Sequence, residues 1–237
     1  MAAAIAYEAG QLLVTLQNTE PDPHAHEDHS PDVASDELIA ARIAQAFPGD
    51  VILSEESVGS ALRLSRSRVW IVDPLDGSRE YGEARADWAV HVGLAETGEL
   101  VAGAVALPGR AMLFSTVAPF HAPVAPGRRL RLAVSRTRPP GEAKTLVDAL
   151  DAELVPMGSA GAKAMAVLLG EVDGYVHAGG QWEWDSAAPV AVALASGLHA
   201  SRIDGSAFEW NKEHPWQPDL LICHKEHASS ILEALAS

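Results

Sequence analysis

Apolar residues recur along the chain with two different periods, and the places where one period gives way to the other divide it into elements. The opening "MAAAIAYEAGQLLVTLQ" interrupts its apolar positions with Glu8 and Gln11 and predicts an amphipathic helix over residues 1–17. In "DVASDELIAARIAQAF", Val33, Leu38, Ile39, Ile43 and Phe47 lie close to a helical repeat, and Pro48-Gly49 ends it. Between the two, "NTEPDPHAHEDHSPD" mixes prolines, histidines and acids without a period, which predicts a mobile loop. From Val51 the pattern changes to short, strongly apolar runs. "DVILSEES", "RVWIVDP", "DWAVHVGLAE", "ELVAGAVALP" and "AMLFSTVA" predict strands; Thr97-Gly98 and Pro108-Gly109 join the last three into an antiparallel meander.

The second half alternates. "LRLAVSRT" predicts a strand, "PGEAKTLVDALD" and "GSAGAKAMAVLLGEV" helices, "DGYVHAG" a strand, "DSAAPVAVALASG" a helix, "PDLLICH" a strand and "HASSILEALAS" a closing helix. No internal repeat or low-complexity tract is present. The proline-rich "PFHAPVAPGRR" is the candidate boundary, separating an N-terminal part (1–125) from a C-terminal part (126–237). This order of elements describes a layered α/β (α+β) protein, with an antiparallel N-terminal sheet and a smaller, mixed C-terminal one.

Composition narrows the function classes. A net charge of −15, from 32 acids and 17 bases, argues against nucleic acid or an anionic membrane as partner. No apolar run reaches the ~20 residues that cross a bilayer, and the N-terminus lacks the basic flank of a secretory signal. Cys223 is the single cysteine and sits in an apolar run, so no internal disulfide is expected and a cytoplasmic setting fits. The charge also poses a problem. An anionic substrate needs a local reversal of sign, which bound divalent cations provide.

The acids that end the apolar runs are the candidate chemistry. In "WIVDPLDGSREY", Asp73 and Asp76 flank Pro74, which fixes its own backbone and biases Asp73 toward extended geometry, and Gly77 permits close ligand approach. Two carboxylates held together repel and take up protons unless a cation lies between them, and hard oxygen donors suit Mg²⁺ or Mn²⁺. Alone, such a turn is more often a solvated acidic corner, Asp185 in "WEWDSAAP" a helix cap, and Glu55-Glu56 a surface pair. Together they can converge at one rim of a sheet.

With Asp32, Glu55-Glu56, Asp73-Pro74-Leu75-Asp76-Gly77-Ser78 and Trp184-Asp185 in this order, the chain resembles the Mg²⁺-dependent, lithium-sensitive phosphatases related to inositol monophosphatase and fructose-1,6-bisphosphatase. The resemblance selects Asp32 over Asp36, because its spacing to Glu55 is 23 residues. It implies a layered α-β-α-β-α fold and two Mg²⁺ per chain, with room for a third. Glu55, Asp73, the carbonyl of Leu75, Asp76 and Asp185 would be the ligands, with Asp73 shared. It further implies a water activated by the metals and oriented by Glu55 and Ser78, with Asp32 behind Ser78 as proton relay, and phosphate held on the N–H groups of Gly77 and Ser78. Ser78 stands where many members carry Thr, and a lysine often found before the upstream Asp is replaced here by "HAHEDHS".

Within the family, "AVSRTRPP", "GSAGAKAMAV" and "HAGGQWEWDSAAP" are most similar to the actinobacterial CysQ-type branch, which acts on 3′-phosphoadenosine 5′-phosphate in sulfate assimilation. That likeness makes Ser135, Arg136, Lys163 and His177 substrate-binding candidates beside Gly77, Ser78 and Asp185, with Arg138 as a further base, and Trp182 and Trp184 as surfaces for a nucleobase. The leading expectation is therefore a 3′(2′),5′-bisphosphate nucleotidase acting on a small phosphorylated substrate. The second is a broader inositol or sugar phosphatase. The third, a metal-binding protein without chemistry, has no use for the Asp32–Ser78 pair. Homodimers are common among such relatives, although the chain shows no self-complementary feature.

Overall fold

The computed structural model describes residues 1–19, 30–57, 61–123 and 127–236. The expected histidine-rich loop and the expected boundary at 125/126 lie outside the described residues. Two helices, α1 (Ala2–Thr19) and α2 (Pro31–Ala46), precede a first sheet of β1 (Val51–Ser54), β2 (Arg68–Asp76), β3 (Ala89–Glu96), β4 (Glu99–Leu107) and β5 (Met112–Ser115); the short α3 (Ser78–Gly82) follows β2. The rest contains β6 (Arg131–Ser135), α4 (Glu142–Leu150), β7 (Glu153–Met157), α5 (Ala160–Leu168), β8 (Gly174–Trp182), α6 (Glu183–Ala195), β9 (His199–Ser201), β10 (Trp216–Cys223) and α7 (Lys225–Leu235).

Three apolar clusters stack these elements into alternating layers of helix and sheet. Ile5, Leu13, Ile39 and Ile43 of α1 and α2 bury one face of the first sheet, against Trp70, Val72, Val90 and Val92. Its other face, with Val69, Ile71 and Val105, packs on Met165 of α5 and on Ala187, Ala188 and Val192 of α6, which in turn cover Tyr175, Leu220 and Ile222 of the second sheet. Leu146 of α4 and Ile231 of α7 close the far side over Leu132, Val176 and Leu221. The order is helix, sheet, helix, sheet, helix, as expected.

Two details of the sheets differ from expectation. The first sheet runs β1-β2-β3-β4-β5, and β1 lies parallel to β2, so only β2–β5 form the antiparallel meander. The second, β7-β6-β8-β10-β9, has as many strands as the first among the described residues. Two of those strands carry weak sequence signals. β7 contains Pro156, tolerated because it is an edge strand, and β9 is three residues long.

The middle helix layer is seated by glycines. Gly93 of β3 pairs with Gly103 of β4 in the sheet, on the face turned to α6. A Cβ on Gly103 would stand 2.7 Å from Ala191 Cβ and 3.1 Å from the Ala188 carbonyl; one on Gly93 would stand 3.3 Å from the Ala188 amide nitrogen. Small residues on both partners thus bring the backbone of α6 onto the sheet, and α6 carries Asp185 in its first turn. Gly103→Val should overpack this contact and lower stability by about 2 kcal/mol, read as a loss of denaturation midpoint; an unchanged midpoint would mean that α6 is not held there.

Candidate active site

The site begins with an irregularity in β2. Residues three apart on a regular strand face opposite ways, so Asp73 and Asp76 should be separated by the sheet. Asp73 pairs with His91, but Asp76 pairs with Ala89, so β2 carries one residue more than β3 over this stretch. This bulge falls on Pro74-Leu75, where proline has no N–H to give the ladder, and it turns both carboxylates to the inner face, toward α5 and α6. Leu75 Nα–H donates to Asp73 Oδ1 at 3.1 Å, and Ser35 of α2 fixes the turn from behind by donating to the Pro74 carbonyl at 2.8 Å. Gly77 leaves the strand at φ 92°, which a side chain would strain, and caps α3.

Asp185 arrives from the opposite layer. It is the third residue of α6, where its Oδ2 accepts the Trp182 N–H at 2.6 Å, so it caps the helix and also faces the bulge. Carboxylate oxygens of Asp73, Asp76 and Asp185 come within 4.8 Å of one another. Glu55, just past β1, stands outside this tight group but within reach of its charge. Burial, and then the charge of Asp76, drives Asp73 well above the ordinary carboxylate range. Burial and Asp76 likewise raise Asp185 to about 6. Partial burial, followed by the charges of Asp185, Asp76 and Asp32, raises Glu55 to about 7 although its side chain is exposed. These oxygens are underbalanced by protein cations and are hard donors at close spacing, so the residues fit divalent-metal chemistry.

Asp76 is the exception. Burial alone would raise it, but His91, Lys163 and Ser159 together outweigh burial and hold it low. Its Oδ2 accepts Ser159 Oγ at 2.5 Å and the Gly161 N–H at 2.7 Å, and His91 Nε2 lies 3.2 Å away in a contact too bent for a straight hydrogen bond. His91 is wholly buried; its Nδ1 stands 3.1 Å from the Trp184 carbonyl. Burial lowers its basicity, but the neighbouring Asp76 carboxylate and the Trp184 carbonyl outweigh burial and raise it. Gly161 makes the room, since a Cβ there would fall 2.2 Å from His91 Nε2. The sequence signal for this counter-charge was one polar residue within the apolar "AVHVGLA" of β3.

Ser78 and Asp32 are in contact. Ser78 Oγ donates to Asp32 Oδ1 at 2.8 Å and contacts the Leu75 carbonyl at 3.2 Å, while Asp36 instead accepts from Ser54. The acids open into a cleft of about 560 Å³ that reaches Gly77, Ser135, Arg136, Lys163, His177 and Trp182. Lys163 donates to the Gly158 and Ser159 carbonyls at 3.1 and 2.6 Å, and lies over the Tyr175 ring at 5.1 Å. His177 Nε2 contacts the Gly180 carbonyl at 2.9 Å, and Ser135 Oγ accepts the Arg138 N–H at 3.1 Å. Arg136 is already engaged by Glu80 and Glu83. Trp184 is a core residue, whereas Trp182, stacked on it at 5.1 Å, is half-exposed at the cleft.

A family model described as the inositol monophosphatase family matches residues 29–237. The chain belongs to the inositol monophosphatase family. Among its family relatives, the 3′-phosphoadenosine 5′-phosphate phosphatase of Mycobacterium tuberculosis is 48% identical over 214 residues, spanning 86% of this chain and 80% of the relative. The protein of the same name from Mycobacterium leprae is 44% identical over 98% of this chain and 91% of its own. Among solved structures, CysQ from Bacteroides thetaiotaomicron is 25% identical with a TM-score of 0.80, covering 95% of this chain and 96% of that one. Inositol monophosphatase from Anabaena shares the fold at a TM-score of 0.79, 23% identity and coverage of 99% and 93%. No described helix is long and apolar enough to cross a membrane.

The raised acids set a pH dependence. Glu55 and Asp185 hold protons more tightly folded than unfolded, so their contribution is complete below the ordinary values of 4.5 and 3.8 and is lost as pH rises through about 7 and about 6. The lowered Asp76 contributes fully above its ordinary 3.8 and does not oppose the trend. Without divalent metal, these acids should therefore pull the melting temperature down between pH 4.5 and 7, against the opposite pull of His177, His199 and His224, which burial lowers, and added Mg²⁺ should raise it more at pH 7 than at pH 5. An equal rise at both pH values would show that these acids do not bind the ion.

Proposed function

We propose that this family member is a Mg²⁺-dependent 3′(2′),5′-bisphosphate nucleotidase that cleaves 3′-phosphoadenosine 5′-phosphate to AMP and phosphate, in cytoplasmic sulfate assimilation. The observation that carries the reading is the identity of 44–48% with relatives of that name, joined to the convergence of Asp73, Asp76 and Asp185 at the head of a cleft.

Asp73, Asp76, Asp185, Glu55 and the Leu75 carbonyl would hold two Mg²⁺, and Glu55 would face a third. When bound, the ions neutralise phosphate charge and lower the pKa of a water. The chain's own groups then do the rest. Ser78 Oγ, fixed by Asp32, orients the attacking water, and the water's proton passes through the hydroxyl to Asp32 Oδ1, 2.8 Å away. The N–H groups of Gly77 and Ser78 orient the phosphate. His91 keeps Asp76 ionised, so that this carboxylate meets a cation without first losing a proton. Lys163, Ser135 and His177 line the same cleft, where the rest of a nucleoside bisphosphate would lie, and Trp182 would offer an aromatic edge to its base.

Phosphate release from a panel of 3′-phosphoadenosine 5′-phosphate, inositol monophosphate and fructose 1,6-bisphosphate, with Mg²⁺, tests the reading. The nucleotide should have the highest kcat/KM; a sugar phosphate in first place would transfer the assignment to the broader phosphatases of the family. Asp76→Asn should lower kcat about a hundredfold or more at saturating Mg²⁺ by weakening a metal ligand, and near-normal turnover would remove Asp76 from the site. Lys163→Ala should cost the bisphosphate more than a simple monoester, and equal losses would separate Lys163 from the second phosphate.

A further inference from the structure

Arg136 lines the cleft, where acids take one end of its guanidinium while its Nε is buried with no hydrogen-bond partner. One nitrogen, Nη2, donates to Glu80 Oε1 at 2.7 Å and to Glu83 Oε2 at 3.0 Å. Glu80 belongs to α3, immediately after Gly77-Ser78, and only 7% of it is exposed. Its side chain is wedged across the cleft. A Cβ on Gly158 would fall 2.3 Å from Glu80 Cγ, and one on Gly77 would fall 3.3 Å from Glu80 Oε2. Glu80 also lines both the main cleft and the adjoining pocket that Ser78 and Arg138 share. A carboxylate here meets any incoming phosphate with the wrong sign. Lys163, the nearby buried cation, already donates to the Gly158 and Ser159 carbonyls. Arg136 makes the described ion pair to Glu80, and it crosses from the end of β6 to α3 to do so.

We infer that Arg136 is a positioning residue that acts through Glu80: it neutralises a buried carboxylate at the phosphate turn and clamps the Gly77-Ser78 segment against the Gly158-Ser159 loop. This departs from its expected role as a phosphate ligand, and it rests on the reading of the site as a phosphomonoesterase. The clamp matters to the chemistry because Ser159 and Gly161, on the clamped side, hold Asp76. Loss of Arg136 leaves Glu80 charged and unpaired in a cleft that must admit an anion. Loss of the charge on Glu80 removes the need for Arg136.

The test uses full-length Arg136→Ala, Arg136→Lys, Glu80→Gln and the double variant Arg136→Ala/Glu80→Gln. Each is assayed at saturating Mg²⁺ on 3′-phosphoadenosine 5′-phosphate and on para-nitrophenyl phosphate, which has no second phosphate, with melting temperatures alongside. Arg136→Ala should lower kcat/KM about tenfold, by the same factor on both substrates. Adding Glu80→Gln should restore most of that loss, and Arg136→Lys should lose less than Arg136→Ala. A loss confined to the bisphosphate would make Arg136 a ligand of the second phosphate and overturn the inference. So would a double variant no better than the single one, or a fall in melting temperature with unchanged kcat/KM. A wild type that cleaves only the monoester would sink the nucleotidase reading while leaving the clamp comparison intact.

Discussion

The structure depends on a single extra residue in β2. Without the bulge at Pro74-Leu75, strand geometry sends Asp73 and Asp76 to opposite faces of the first sheet: one toward α1 and α2, the other toward α5 and α6. With it, both carboxylates and His91 share the inner face, and Asp185 reaches them from α6. The proline makes the bulge tolerable by having no N–H to leave unpaired, and Ser35 anchors its carbonyl from the outer layer. The spacing of the acids is thus a property of the sheet and not of the acids themselves. They could not choose it, since their mutual repulsion opposes it.

That repulsion is distributed unevenly, and the unevenness is useful. His91, Ser159 and the Gly161 amide all serve Asp76 and hold its pKa low, while burial and the charge of Asp76 raise Asp73 and Asp185. A protein that balanced every carboxylate with its own cations would have no affinity for a metal. One that balanced none would not fold around them. Burying one histidine beside one carboxylate is the intermediate solution, and small residues of α5 and the strands make room for it. Gly161 clears the ring and the Gly93–Gly103 pair seats α6.

Much of this was legible in the sequence. The apolar periods located most helices and strands, because each such element buries a face large enough to leave a repeat; β7 and β9 escaped, being an edge strand interrupted by Pro156 and a strand of three residues. The acids were readable because each ends an apolar run. Their counter-charges were not. His91 lies in the middle of a run that otherwise reads as core, and its partner is found only once the bulge sets the register. Nothing in "GSREY" marks Glu80 as buried; the room for its side chain comes from Gly158, far along the chain. The parallel pairing of β1 was equally hidden, since a short strand before a loop carries no mark of its direction.

The net charge of −15 and an anionic substrate remain compatible because the cleft carries both signs of charge. Carboxylates exceed their partners around Asp73 and Asp185 and call for a cation. Lys163, Arg136 and Arg138 line the same cleft. Two of these cations are committed to the protein itself: Lys163 to the carbonyls of the loop that holds Asp76, and Arg136 to Glu80. Their charge is therefore fixed in place before any substrate arrives, and ordering them on binding costs little further entropy. Preorganised charge of this kind suits a cleft that has to take in an anion, as the proposed function requires.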